Sequence, residues 1–255
     1  MTALEQIEVA AWSSLVDAAP RALVERMALS RREIEGATRF RSRLPAPELN
    51  RMLGMAAIGD AHVAALEPGM LLQAPPPLVD AARARGLTAR STWVKLVRRA
   101  SAPGRAPALE VREVGAADAA RFAETFCQAY ELPPALAPWH AALVGRPGWR
   151  AYVVLDGGAA IASALLFHQG DLAWLGAAAT LRAHRGKGAQ KALIARRLAD
   201  AAAAGAAEVV SETSLPAPDA KNPSLDNLRA AGFAIAYERV NFVLRETGAR
   251  TGARP

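Results

Sequence analysis

Between residues 4 and 17 the apolar side chains Leu4, Ile7, Ala11 and Leu15 recur three or four apart, the spacing of an amphipathic helix. A second helix is expected over 21–34, opening directly behind Pro20. Strands are expected at 37–43, 70–73 and 91–99 and a helix at 78–85, while 44–68 follows no single period. Residues 101–108, rich in proline, glycine and alanine, read as a linker. Beyond it the pattern predicts a strand at 109–114 and helices at 117–130 and 138–144. Three strands follow at 149–155, 160–168 and 172–180, joined by turns at Gly157-Gly158 and Gln169-Gly170-Asp171. A glycine loop then leads into a helix from about 188 to 203, a strand at 208–213, a helix at 224–231 and a strand at 233–245. This order predicts a mixed α/β fold, with 247–255 as a flexible tail.

One stretch repeats. Displaced by 146 residues, 77–99 lies on 223–245 without a gap, and eight of the 23 pairs are identical, among them Pro77 with Pro223, Asp80 with Asp226, Arg83 with Arg229 and Gly86 with Gly232. Two readings are open: independent helix-to-strand turns in a compositionally biased chain, or a duplicated unit whose first copy is worn. Under that displacement the glycine loop falls near Arg39, on Phe40-Arg41-Ser42, so the first copy is expected to lack a phosphate site.

Composition narrows the class. The 255 residues suffice for one large or two small domains. Hydrophobic residues make up 52%, but 61 residues are alanine, so the core is expected to rest on close packing more than on bulk. A charged fraction of 22% and a mean hydropathy of +0.08 exclude a disordered chain. No apolar run approaches the ~20 residues of a membrane span. Glu5 and Glu8 near the start argue against a secretory signal, and the expectation is a soluble cytoplasmic protein. One cysteine, Cys127, excludes an internal disulfide, and no carboxylate–histidine cluster has metal-ligand spacing, so no metal is expected. The net charge of +7 comes from 27 arginines and four lysines without a run of five like charges. An anionic small ligand accounts for it as well as nucleic acid does, and no nucleic-acid or membrane partner is expected.

The candidate chemistry lies in Thr180-Leu181-Arg182-Ala183-His184-Arg185-Gly186-Lys187-Gly188-Ala189-Gln190-Lys191, between a strand and a helix. Gly186 and Gly188 let a ligand approach the backbone, and the first helical amides have no partner within the helix. With the helix dipole and the charges of Arg185, Lys187 and Lys191, the loop suits a diphosphate. It lacks the P-loop pattern and fails the dinucleotide pattern at its last position, which argues against ATP and NAD.

This loop resembles the acetyl-CoA motif of the GNAT N-acetyltransferase superfamily, Arg/Gln-x-x-Gly-x-Gly/Ala ahead of a long central helix. Arg185 and Gly188 match, and Gln190 departs at the final small position. Downstream, Ala231-Gly232-Phe233 matches the Gly-Phe that often precedes a long strand in that family, so the resemblance covers about 109–245. It implies a GNAT acyl-CoA N-acyltransferase fold as a pseudo-tandem: a partial, degenerate copy at 1–100, a linker at 101–108 and a catalytic domain at 109–246. It further implies acetyl transfer from acetyl-CoA to a primary amine of a small molecule or peptide, by a monomer or homodimer. The alternative is a catalytically silent acyl-CoA-binding module.

By the same resemblance, the backbone of Ala178, Ala179 and Thr180 pairs with the pantetheine arm as an added strand, and Gly186 to Lys191, with Arg185, cradle the pyrophosphate. Ser224 and Asn227 either bond the pantetheine or only cap and pack their helix. Many members carry a tyrosine four residues before the glycine of Gly-Phe; Leu228 stands there in this chain. The replacement candidates for proton transfer are Tyr237 and Glu212, each of which also has a plain structural reading. Cys127 reads as a buried structural thiol, mid-helix and with no nearby histidine.

Overall fold

Thr2 opens the first helix, its hydroxyl accepting from the Glu5 amide at 3.4 Å, and α1 runs over Ala3–Asp17 with Ile7, Ala11 and Leu15 buried. The structure, a computed structural model, describes residues 2–101 and 109–245. Most of the expected linker and the whole of the expected tail therefore lie outside the described residues. The helix expected over 21–34 is half helix. α2 spans Arg21–Met27 and stops at Ala28, which takes a left-handed conformation. Residues Ser30–Ile34 form β1, an exposed edge strand paired with β2 (Ala37–Arg41) through the Glu35-Gly36 turn. Both turn residues have positive φ, as a two-residue hairpin needs.

The unassigned stretch holds β3 (Arg51–Leu53) and a short α3 (Asp60–Ala64), followed by β4 (Leu71–Ala74), α4 (Val79–Ala84) and β5 (Thr88–Arg99). The second half contributes β6 (Glu110–Glu113), α5 (Ala119–Ala129), α6 (Ala137–Ala141), β7 (Trp149–Asp156), β8 (Ala159–Gln169) and β9 (Leu172–Trp174). It ends with β10 (Ala178–Thr180), α7 (Ala189–Ala203), β11 (Glu208–Ser214), α8 (Pro223–Ala230) and β12 (Ala234–Val243). The strand expected over 172–180 is thus two strands, broken at Ala177, whose φ is +47°. No described helix is long and apolar enough to cross a membrane.

All strands join one sheet in the order β1-β2-β3-β4-β12-β5-β11-β9-β8-β7-β6, with β10 paired to β8. Residues of α1, α2, α5 and α6 share one core with one face; α7 and α8 cover the opposite face of the second half, and Leu78 and Ala82 belong to the core beneath the first.

The duplicated reading of the repeat is what the topology displays. The first half runs helix, helix, three strands, helix, strand, helix, strand, and after β6 the second half follows the same plan with four strands, β7 to β10, in place of the three. The last strands are exchanged: β12 lies between β4 and β5, and β5 lies between β12 and β11. Their pairing is self-symmetric under the 146-residue displacement. Ala234 pairs with Val97 and Val243 with Thr88, while Arg239 faces its own counterpart, Trp93. The register shifts skip Ala236 and its counterpart Arg90. Leu96 of the first half is buried under α7 and α8, and Phe242 of the second half is buried with Leu78 and Ala82. The two halves therefore share one sheet, and each completes the other's core.

The same symmetry governs the polar groups buried beneath α1. Arg51 donates to Gln73 at 2.8 Å and Gln73 to Asn241 at 2.8 Å; in the second half Trp174 donates to Glu212 at 3.0 Å and Lys95 to Glu212 at 3.3 Å. Glu8 of α1 meets Arg51 at 3.0 Å and Arg239 at 2.6 Å, and also pairs with Lys95. Burial alone would raise its pKa, but Arg239, Lys95 and Arg51 hold it well below the ordinary carboxylate range.

Candidate active site: a cleft through the sheet

The site begins where two neighbouring strands part. β9 runs parallel to β11 as far as Trp174 and Val210, and the last backbone bond between them is from the Leu175 amide to the Val210 carbonyl, at 2.8 Å. The left-handed Ala177 then turns β10 away, so Ala178 to Thr180 pair with Ala164 to Ala162 of β8 and, among the described residues, leave their other edge without a strand. Gly176 is required at the parting point: a Cβ there would stand 1.7 Å from the Trp174 ring. Arg197 of α7 clamps the bend from behind, donating to the carbonyls of Leu165 at 2.9 Å and Gly176 at 3.2 Å. Burial lowers its pKa to about 10, so it stays charged at neutral pH.

The gap opens into a cleft of about 800 Å³. Its walls are the β10 backbone, the glycine loop, the start of α8 and, from the opposite face of the sheet, Tyr130 at the end of α5. On the α7 side, Gly186 (φ +82°) and Gly188 (φ +89°) hold the loop open; a Cβ on either would meet nothing within 4 Å. α7 has no side-chain cap, and the first intrahelical bond from its start is Ala192 to Gly188, so the amides of Ala189, Gln190 and Lys191 face the cleft end. Arg185, Lys187 and Lys191 are exposed around them, with Lys187 partly answered by Asp156 at 3.6 Å. Open backbone, free amides and cations together fit a diphosphate.

Gln190, the departure from the family motif, crosses the cleft. It donates to Ser224 at 3.2 Å and accepts from Asn227 at 2.6 Å, tying α7 to α8. Ser224 does not cap its helix; Asn222 does, accepting from the amides of Ser224 and Leu225. Ser224 and Asn227 thus stand on the cleft wall, while Leu228 is buried in the core beneath α7 and α8.

Tyr237 and Glu212 are not among the residues lining this cleft. Tyr237 donates to Glu5 of α1 at 2.6 Å, and burial with the Glu5 charge raises its pKa above the ordinary phenol value. Glu212 is held by Trp174 and Lys95, and burial, then Glu8, raise its carboxyl. Both belong to the network under α1. The expectation that Cys127 has no histidine near it needs correction: packing of α5 on α6 brings His140 Nδ1 to 3.9 Å from its sulfur. The pair is not an activated nucleophile, because burial raises the thiol to about 11 and lowers His140 to about 4. Among the described residues no group of three or more His, Cys, Asp or Glu side chains is placed to hold a metal.

Sequence reasoning passed over Tyr130, Gly176 and Arg197. Gly176 after Trp174-Leu175 was the readable signal; the other two are placed by tertiary packing.

The first half shows what a lost cradle looks like. The topological counterpart of α7 is α3, so the loop equivalent ends at Gly59 and not near Arg39. There the Gly59 amide donates to His62 at 2.9 Å, a Cβ would meet Glu35 at 3.1 Å, and Asp60 occupies the first turn. Two carboxylates at a five-residue helix repel a phosphate.

No family model and no curated protein matches this sequence. Solved structures do. A GCN5-related N-acetyltransferase from Kribbella flavida superposes with a TM-score of 0.60 at 17% identity, over 95% of both chains. The chain has the GCN5-related N-acetyltransferase fold. A second such protein, from Sphaerobacter thermophilus, matches with a TM-score of 0.57 at 17% identity over 68% of this chain, and a GNAT-family acetyltransferase from Colwellia psychrerythraea with 0.55 at 16% over 69%. The chain spans 58% and 65% of the length of these two. The Kribbella match covers 95% of this chain, so the likeness in fold extends beyond residues 109–245 into the first half.

Proposed function

We propose that the protein is an acetyl-CoA-dependent N-acetyltransferase, moving an acetyl group directly from acetyl-CoA to a primary amine of a small molecule or peptide. The observation that carries this reading is a cleft that crosses the sheet, with a diphosphate cradle at one end and an unpaired strand edge leading from it. The pyrophosphate sits on the amides of Gly186 to Lys191 with Arg185 beside it, and the pantetheine amides pair with Ala178 to Thr180 as an added strand. The remaining polar atoms of Ser224 and Asn227 border that arm. The thioester then lies at the parting of β9 and β11, where an amine entering from the α5 face attacks the carbonyl carbon. Holding both partners in this cleft supplies much of the rate, since proximity alone removes several kcal/mol from such a barrier.

A silent acyl-CoA-binding module is the second reading. It is favoured by Leu228 in the tyrosine's place and by the engagement of Tyr237 and Glu212 elsewhere. Thiol release from saturating acetyl-CoA, measured against a panel of amines, amino acids, polyamines and peptides, separates the two. Amine-dependent release is expected for the enzyme; binding without release from any amine supports the module. In the same assay Tyr237→Phe is expected to keep kcat within about threefold, because its phenol bonds Glu5. A loss of roughly 10²–10⁴ would instead make Tyr237 the general acid.

A further inference from the structure

Tyr130 is the phenol among the residues that wall this cleft. It closes α5, and the left-handed Glu131 (φ +56°) turns the chain away directly after it. Its ring packs on Phe126 at 4.7 Å between centroids, and Phe126 stacks on His140 at 4.2 Å. The residue is 40% exposed on the cleft wall that it shares with Ala178, Ala179 and Thr180 of β10. Ala178, the first residue of β10, follows directly on the left-handed Ala177 where the chain turns away from β11. Of the other titratable groups on the cleft, His184, Arg185 and Lys191 surround the diphosphate cradle, and Glu131 follows Tyr130 at the rim.

We infer that Tyr130 is a catalytic residue for the acyl transfer, its phenol donating the proton that the departing sulfur requires. The inference rests on the N-acetyltransferase reading above. In the step, the amine nitrogen lone pair forms the new bond to the carbonyl carbon and the carbon–sulfur bond breaks, its electron pair staying on sulfur. The Tyr130 hydroxyl proton passes to that sulfur, giving the free thiol. The nitrogen loses one proton as the amide forms, and that proton restores the phenol through water, so no charge is left over. Burial favours the neutral phenol and raises its pKa, and Arg197 opposes this by favouring the phenolate formed in passing.

The test does not depend on the natural acceptor. The chain has three tyrosines, and Tyr152 and Tyr237 are bonded to Asp200 and Glu5 outside the cleft. In protein labelled with 3-fluorotyrosine, acetyl-CoA is expected to shift the fluorine resonance that Tyr130→Phe deletes and to leave the other two in place. Tyr130→Phe is expected to bind acetyl-CoA within about threefold of wild type, yet to release CoA to hydroxylamine about 100-fold more slowly or worse. A Tyr130 resonance that stays fixed while calorimetry shows bound acetyl-CoA would overturn the inference. So would equal CoA release by the variant, or a wild type that binds and shifts but releases no CoA to hydroxylamine. No calorimetric binding by wild type would remove the acetyltransferase reading itself, and this inference with it.

Discussion

His140 is nearly sealed from water, and its imidazole is stacked on Phe126 with Nδ1 3.1 Å from the Leu136 carbonyl. Burial lowers its pKa to about 4, against an unfolded value near 6.5. The unfolded chain therefore takes up a proton before the native one does. The stability linked to this residue is fully present above about pH 6.5 and is lost as pH falls towards 4, up to ~3 kcal/mol. Glu212, with its raised pKa, works in the opposite sense over part of that range. His140→Phe keeps an aromatic ring against Phe126 and removes the titration. Its urea midpoint is expected to fall less than that of wild type between pH 7 and 4.5; parallel declines would contradict the assignment. None of this was legible in the sequence, because the partners of His140 belong to a helix pair whose packing sets the distance. The glycine loop was legible: Gly186 and Gly188 announce positive φ, and both adopt it.

At the level of elements, the periodic helices and the two-residue turns were readable and two breaks were not. Residues 30–34 read as helical because Leu23, Met27 and Ile34 stand four and seven apart, a helical spacing; as an exposed edge, β1 carries Arg31, Arg32 and Glu33 and shows no buried face to betray it. The split at Ala177 hides in a run of three alanines, where nothing marks the left-handed residue. The α8 wall of the cleft depends on Asn222, which caps two amides and donates to the Ser214 carbonyl at 2.7 Å. Asn222→Ala is expected to cost about 1–2 kcal/mol, read from chemical denaturation. A variant as stable as wild type would contradict a stabilising role for this cap.

The molecule as a whole is two copies of one plan that share their final strands. The 146-residue repeat pointed to duplication, but exchange of β5 and β12 is a long-range pairing that no local pattern encodes. The exchange explains why the worn first half persists without a cradle of its own: β5 completes the second half's sheet, and Lys95 holds Glu212 beside the parting strands. On the proposed function, one intact cradle beside one blocked by Glu35 and Asp60 predicts one acetyl-CoA site per chain. Calorimetric titration with acetyl-CoA, on wild type and on Gly188→Trp, tests this most directly. The indole would enter the open space over the α7 start, and the left-handed backbone there adds strain on the order of 1–2 kcal/mol, which circular dichroism would show the fold survives. We predict a single saturable site per chain in wild type and none in the folded variant; two sites, no saturable heat, or undiminished affinity in Gly188→Trp would contradict the account.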